Sequence, residues 1–233
     1  FGSKRKFCKY LMDKFNLSQP TSQRFVWLMK DWHPLFLIRE ATNLNNTSYF
    51  EIQEHIEFLK MNWPPLKTFK AVKELNEDLC KIIGAHAADG TLARNFVRIT
   101  DGYESNIVAL KKWIKNVFGV SYPIKKVEGS NEWKIEFHSG IIAGYLNRVF
   151  DFPIGSKQYT VSEPEIIRSS SLFFRKCYVS GVLMFEAGIG IKHQIELCVS
   201  SKDFRDSVAD ILTLSNIKIT IMKNKSGNYW RLW

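Results

Sequence analysis

The chain has 233 residues, 45% of them hydrophobic, so it can bury a sizeable core in one large domain or two small ones. Its 33 Lys and Arg against 23 Asp and Glu give a net charge of +10, which favours an anionic partner, nucleic acid first and an acidic membrane second. The sequence has no apolar run of membrane-spanning length and no CxxC spacing among its four cysteines. We therefore expect no membrane insertion and an intracellular, reducing location in the cytoplasm or nucleoid.

The N-terminal residues carry much of the positive charge, since residues 1–30 contain seven Lys or Arg and one Asp. Helical spacing of apolar residues predicts helices near residues 7–15, 24–30, 35–42 and 48–60. Residues 1–74 are therefore predicted to form a basic helical module that contacts DNA as an accessory element. The alternative is a helical extension that packs on the main domain and adds only nonspecific charge.

Residues 78–90 are predicted to form a short apolar helix with small residues along one side, ended by a left-handed turn at Gly90. Residues 177–188 have the same build. In each stretch a carboxylate follows a glycine by five residues, and the two pairs are separated by the same offset: Gly84 and Asp89, Gly181 and Glu186. This internal repeat indicates two units of one architecture.

Each motif is followed by a similar order of elements. The first precedes predicted strands within 91–100, a helix at 104–118 ended by Gly119, strands at 121–127 and 133–137, and a helix at 140–150. The second precedes a strand at 189–199, a helix at 201–214, and strands at 217–222 and 229–233. Residues 151–170, which contain Pro and Gly, are predicted to be a linker between the two units.

Residues 82–90 (IIGAHAADG) and 179–187 (VSGVLMFEA) resemble the two motifs of single-chain LAGLIDADG homing endonucleases of the archaeal or intein-borne type. The resemblance implies an α+β fold in which two pseudo-symmetric αββαββα repeats, residues 75–150 and 171–233, form a saddle of two antiparallel sheets. The implied function is that of a monomeric, site-specific double-stranded DNA endonuclease. The alternative is a non-cleaving nucleic-acid-binding descendant, such as an intron RNA maturase or a DNA-binding regulator.

The resemblance implies that Asp89 and Glu186 are catalytic residues that bind metal. Small residues let the two motif helices approach closely, which brings these carboxylates together at helix C-termini, where the helix dipole disfavours negative charge. Mg²⁺ relieves both costs, because its ligands are carboxylate, water and phosphate oxygens. The implied reaction is metal-assisted hydrolysis of DNA phosphodiesters, with one carboxylate for each strand.

Lys134 and Arg231 match the basic strand residue that lines the active site of this family. The resemblance implies that they are catalytic residues that offset negative charge in the transition state. For each, the alternative is a phosphate contact or a solvated strand position. DNA bases and phosphates would be contacted by further polar residues of the strands. These candidates are Arg94, Asn95, Arg98, Lys125, Lys192, His193, Gln194, Lys218 and Lys223.

Three residues within the two motifs, His86, Phe185 and Ala187, affect how the motif helices can pack. His86 has no second His or Cys nearby in the sequence, so it is predicted to be a core histidine whose hydrogen bonds are satisfied. In the second motif Phe185 replaces a small residue and Ala187 replaces the terminal glycine of the family pattern. Phe185 is large enough to hold the two helices apart or to displace Glu186.

Overall fold

The computed structural model describes residues 4–15, 58–60, 68–72, 74–190, 194–224 and 229–233. Its N-terminal part contains helix α1 (Lys4–Phe15) and two short antiparallel strands, β1 (Phe58–Lys60) and β2 (Thr68–Lys70). The helix expected to run to about residue 60 is therefore wrong at its end, because residues 58–60 pair with β2 instead. The helices predicted at 24–30 and 35–42 lie outside the described residues.

The first repeat unit has the predicted order of elements. These are α2 (Glu77–Asp89), β3 (Gly90–Ala93), β4 (Phe96–Asp101), α3 (Glu104–Phe118), β5 (Ile124–Lys126), β6 (Trp133–Phe137) and α4 (Gly140–Val149). The four strands form one antiparallel sheet in the order β3-β4-β6-β5. A turn at Arg94 and Asn95 folds β3 back onto β4, so these two residues do not lie on a strand.

The second unit repeats this arrangement after a linker that contains the short helix α5 (Glu165–Arg168). Its elements are α6 (Leu172–Glu186), β7 (Gly188–Ile189), β8 (Ile195–Val199), α7 (Lys202–Leu214), β9 (Ile221–Lys223) and β10 (Trp230–Leu232). The sheet order, β7-β8-β10-β9, is that of the first unit. The strand predicted from residue 217 begins only at Ile221, so Lys218 precedes the strand rather than lying in it.

Local chemistry fixes the ends of the helices. The side-chain oxygen of Asn76 accepts a hydrogen bond from the backbone N–H of Leu79 at 2.9 Å and so caps α2. Gly119 has φ 69°, the left-handed conformation predicted for the end of α3. Gly90, in contrast, has φ −83° and ψ 144°, which is extended backbone, so the predicted left-handed turn is wrong. A Cβ at Gly90 would lie 2.6 Å from Cγ of His86, so this glycine is needed for close approach of the imidazole.

Alternation along the strands separates a core face from an open face in each sheet. In β4, Val97 and Ile99 are fully buried while Arg98 between them is partly exposed. In β6, Ile135 and Phe137 face the core. Residues that lie opposite each other in neighbouring strands share a face, so the strand register identifies the open face of each sheet.

Candidate active site

The two units meet along the motif helices α2 and α6, which pack closely against each other. A Cβ at Gly84 would overlap the carbonyl oxygen of Tyr178 and lie 3.1 Å from Cα of Gly181. A Cβ at Gly181 would in turn lie 2.9 Å from Cα of Lys81. Both glycines therefore make backbone-to-backbone contact, which is the packing that the small residues of the motifs predict.

This contact brings two carboxylates together, because Asp89 is the last residue of α2 and Glu186 is the last residue of α6. Loss of hydration and, to a smaller extent, the negative charge of Asp89 raise the pKa of Glu186 to about 7, against the lowering effect of Lys157. The pKa of Asp89 is raised to about 6, again mainly by loss of hydration, although the residue keeps solvent-exposed surface. Both carboxyl groups therefore have pKa values close to neutral pH, and ionisation of Asp89 makes ionisation of Glu186 less favourable.

The linker residue Lys157 contacts the C-terminal end of α2, next to Asp89. Its ammonium donates hydrogen bonds to the carbonyl oxygens of Ala87 and Ala88 at 2.8 and 2.6 Å. Burial lowers the pKa of Lys157 to about 8, against the raising effect of the negative charges of Asp89 and Glu186. Sequence analysis missed this residue, because its only signal is a lone lysine in a stretch without periodicity.

The donor set of this site suits a hard divalent cation. Carboxylate oxygens are the ligands that Mg²⁺ and Ca²⁺ prefer, and a bound cation would offset the cost that burial places on the ionised Glu186 carboxylate. Within the described part of the chain, no group of three or more His, Cys, Asp or Glu could hold a metal. Asp89 and Glu186 would therefore supply two ligands, and water or substrate oxygens the remainder.

The two basic strand residues are each held by a carboxylate. In β6, Lys134 Nζ lies 3.0 Å from Glu136 Oε1, and Arg98 also pairs with Glu136 at 2.7 Å. In β10, Arg231 Nε lies 3.1 Å from Oε1 of Glu196. These pairs lie on the open faces of their sheets, so both cations are positioned rather than freely solvated.

No protein-family model matches this sequence, and no curated protein matches it. Among solved structures, one of mesophilic variants of the homing endonuclease I-DmoI matches with a TM-score of 0.51 and 15% identity, over 67% of this chain and 87% of that chain. I-DmoI in complex with DNA and Ca matches with a TM-score of 0.51 and 14% identity, over 67% and 81% of the two chains. The N-terminal LAGLIDADG domain of WhiA matches with a TM-score of 0.45 and 15% identity, over 67% and 74%.

This chain has the LAGLIDADG fold. At such low identity the two matches to I-DmoI establish the architecture alone, which in this chain comprises the paired motif helices and two four-stranded antiparallel sheets. The predicted α+β class and the two-motif resemblance are thereby confirmed. In the described ranges of the chain, no helix has the length and apolar character needed to cross a membrane.

The open face of the first LAGLIDADG sheet carries three of the predicted DNA-binding or catalytic cations. Lys125 lies opposite Lys134 in the register, and Arg98 lies opposite Glu136. Arg94 and Asn95 lie in the exposed turn between β3 and β4. The structure therefore brings Arg98, Lys125 and Lys134 to one surface and leaves Arg94 and Asn95 at the end of the hairpin.

Fewer of the predicted DNA-binding residues lie on the open face of the second sheet. Lys223 lies opposite Trp230, on the face of buried Val199, so it points away from the open face on which Arg231 and Cys198 lie. Because a strand turns successive side chains to opposite faces, Lys223 does not share the open face with Arg231, and its contact with DNA stays a prediction. The remaining three are placed as follows: Gln194 is half-buried just before β8, and Lys192 and His193 lie outside the described residues.

Two predictions about the motif helices are changed by the structure. Phe185 does not hold the helices apart, because it is buried and its ring faces Trp113 of α3, with a centroid separation of 6.5 Å. His86 is fully buried as expected, but neither ring nitrogen has a hydrogen-bond partner among the described residues. Its ring packs edge-on against Phe152 with a centroid separation of 4.6 Å, and burial lowers its pKa to about 3, so it is a neutral core residue.

Proposed function

We propose that this protein is a site-specific, divalent-metal-dependent double-stranded DNA endonuclease. One observation carries the proposal: Asp89 and Glu186 end two helices that touch backbone to backbone, burial raises the pKa of both carboxyl groups, and the charge of Asp89 adds to the rise at Glu186. Paired acids at this position weaken the helix contact unless a cation binds them, so a catalytic role explains them better than a structural one. Support also comes from I-DmoI, a homing endonuclease with this fold whose structures contain DNA and Ca or Mn.

In this proposal each carboxylate serves one DNA strand. Asp89 and Glu186 hold the divalent cation, for which we propose Mg²⁺, and phosphate oxygens of the substrate complete its ligands. When bound, the cation would supply Lewis-acid stabilisation of the phosphoryl oxygens and a more acidic water. Lys134 and Arg231 would offset the negative charge that develops on the phosphate, a role for which their fixed ion pairs preorganise them.

We propose that the DNA lies across the open faces of the two sheets. Arg98, Lys125 and Lys134 give the first face a cluster of cations, and Glu136 is their only acidic partner in the contacts described. Lys and Arg on such a face would bind phosphates, and polar strand residues would read base edges. The basic residues 1–74 would act as an accessory DNA-binding module joined to the repeat units at 75–150 and 171–233.

The experiment that tests the proposal is cleavage of a randomised duplex library by the purified monomer in Mg²⁺, with Ca²⁺ as the binding-only ion. We expect discrete double-strand cuts that Asp89→Asn and Glu186→Gln abolish while sequence-selective binding in Ca²⁺ persists. Glu165→Gln, at an exposed position of α5 beside the N-terminal end of α6, removes an equal charge at the end of that helix opposite Glu186 and should leave cleavage unchanged. Loss of binding together with cleavage in Asp89→Asn would instead assign Asp89 a structural role.

The second candidate function is sequence-selective nucleic-acid binding without cleavage, as in an intron RNA maturase or a DNA-binding regulator. It is favoured by Lys157, whose ammonium already lies beside the two carboxylates that would hold the metal. The library experiment separates the two functions. Tight, selective binding without cutting in Mg²⁺ or Mn²⁺ would establish the binding function and overturn the endonuclease proposal.

A further inference from the structure

Lys157 comes from outside both repeat units, yet it contacts the end of the first motif helix. The last carbonyl oxygens of a helix have no partner within the helix. In α2, the backbone N–H of Gly90 donates to the carbonyl of His86, and the Lys157 ammonium donates to those of Ala87 and Ala88. A cation placed there also interacts favourably with the negative end of the helix dipole.

At the end of the second motif helix, the hydrogen bond described for the matching carbonyl comes from a neutral side chain. Met184 in α6 occupies the repeat position of Ala87, and its carbonyl oxygen accepts a hydrogen bond from the neutral amide Nδ2 of Asn106 at 2.8 Å. Asn106 also donates to Asp101 Oδ1 at 3.2 Å. The carbonyl oxygens of Ala87 and Met184, at matching repeat positions, thus both accept a hydrogen bond, the first from an ammonium and the second from a neutral amide. Hydrogen bonding alone therefore does not require a lysine at this place.

We propose that Lys157 is the resident counter-ion of the Asp89 and Glu186 carboxylates and that it opposes binding of a divalent cation between them. Two hydrogen bonds anchor its ammonium on the carbonyl oxygens of Ala87 and Ala88, the two residues before Asp89, and the charges of both Asp89 and Glu186 act on it there. A fixed positive charge there offsets the repulsion between the acids when no metal is bound. The same charge repels an incoming divalent cation, so the apo site is stable and its metal affinity is weak.

The first test asks whether Lys157 acts on the carboxylates or only on the helix end. The melting temperature is measured in metal-free buffer for Lys157→Met, Glu186→Gln and the double variant. The pH is 7.5, between the pKa of Glu186 at about 7 and that of Lys157 at about 8, so that most of each group is charged. We expect Lys157→Met to lower the melting temperature by roughly 2–4 °C, and to lower it by clearly less in the Glu186→Gln background. Equal losses in both backgrounds would mean that Lys157 only caps α2, which would overturn the inference.

The second test measures Ca²⁺ affinity by calorimetry for the wild-type chain and for three lysine variants. Lys157→Met should bind Ca²⁺ about 5- to 10-fold more tightly, as expected for removal of a unit charge near a divalent ion in a partly hydrated site. Lys157→Arg keeps the charge and should bind as the wild type does. Lys126→Met is the matched control, because Lys126 lies against Trp133 on the other face of the sheet. Unchanged or weaker binding by Lys157→Met would overturn the inference.

The metal part of this inference rests on the proposed function, and the two can fail separately. If the Asp89→Asn, Glu186→Gln double variant keeps wild-type Ca²⁺ affinity, the metal site of the proposed function is wrong. The melting-temperature cycle still decides whether Lys157 neutralises the carboxylates, because it contains no metal. If the double variant loses Ca²⁺ while Lys157→Met leaves the affinity unchanged, the proposed metal site stands and the inference about Lys157 fails.

Discussion

Gly84 touches Gly181 across the helix pair so closely that a Cβ on Gly84 would lie 3.1 Å from Cα of Gly181. This contact is the axis of the internal repeat, since the two glycines occupy the same position in their motifs. It also sets the separation of Asp89 and Glu186, which end the same two helices five residues later. The position of the two carboxylates therefore depends on a backbone contact between glycines that lies more than one helical turn away.

The glycine contact predicts a large loss of stability on adding one methyl group. In Gly84→Ala the new Cβ would overlap the Tyr178 carbonyl oxygen, and backbone cannot move aside as a flexible side chain does. We expect a loss of about 3 kcal/mol in the free energy of unfolding, measured by urea denaturation. Gly144→Ala in α4 is the control, because nothing lies within 4 Å of its Cβ position, and we expect it to add about 0.5–1 kcal/mol. Equal effects of the two substitutions would contradict the close contact.

The raised pKa values predict a pH window for stability and metal binding. Asp89 and Glu186 have ordinary pKa values of 3.8 and 4.5, and the folded chain raises them to about 6 and about 7. The folded state therefore retains protons that the unfolded state has released, so the contribution of these groups to stability is full below pH 4 and declines as pH rises through 7. Ca²⁺ binding needs the ionised carboxylates, so its affinity should rise over the same range.

This window is checked by Ca²⁺ titrations at pH 5.5, 6.5, 7.5 and 8.5, together with urea denaturation of the metal-free chain at each pH. Glu186→Gln should remove the upper part of the stability decline, because the group with the pKa of about 7 is gone. A Ca²⁺ affinity that stays constant from pH 5.5 to 8.5 would show that carboxylates with ordinary pKa values, elsewhere in the chain, bind the ion.

Two adjacent lysines in β5 lie on opposite faces of the sheet, so we expect their substitution to affect DNA binding differently. Lys125 lies opposite Lys134 on the open face, whereas Lys126 lies opposite Trp133, with its ammonium 5.8 Å from the ring centroid. Lys125→Gln should weaken DNA binding at every sequence and reduce the slope of log affinity against log salt by about 0.9. Lys126→Gln, with the same loss of charge, should change neither. Both are measured by fluorescence anisotropy in Ca²⁺ at several salt concentrations, and the reverse order would place the DNA on the other face.

The reactivity of the cysteines tests whether DNA covers the open face of the second sheet. Cys198 is exposed on the open face opposite Arg231, whereas Cys80 and Cys177 are buried in the motif helices. Burial raises the pKa of Cys80 to about 12, so its thiol should not react at pH 8.5. In a Cys8→Ser background we expect a maleimide to modify Cys198, with the site identified by mass spectrometry, and bound DNA to slow the reaction. Modification at the same rate with and without DNA would exclude this face from the interface.

The sequence determined the repeat and its chemistry because both depend on local spacing. A glycine and a carboxylate at one fixed spacing, repeated at one offset, indicated two units of one architecture, and the LAGLIDADG resemblance of these motifs implied the helix contact and the paired acids. The sequence assigns no face to individual strand residues, because a shift of one residue reverses the face of a side chain. The register of the folded strands places Arg98 and Lys134 on the open face of the first sheet and Lys223 on the opposite face of the second.

Only the tertiary structure decided which groups surround the carboxylates. Lys157 is distant in sequence from both acids and lies in a linker, where no periodicity limits its position, so only the folded chain brings its ammonium to α2. The sequence likewise predicts a left-handed turn at Gly90, but the backbone there is extended. The neighbouring imidazole of His86 leaves no room for a side chain at this position. Spacing along the chain determines which residues share a face, whereas packing between distant segments determines the neighbours of each residue and therefore its charge environment.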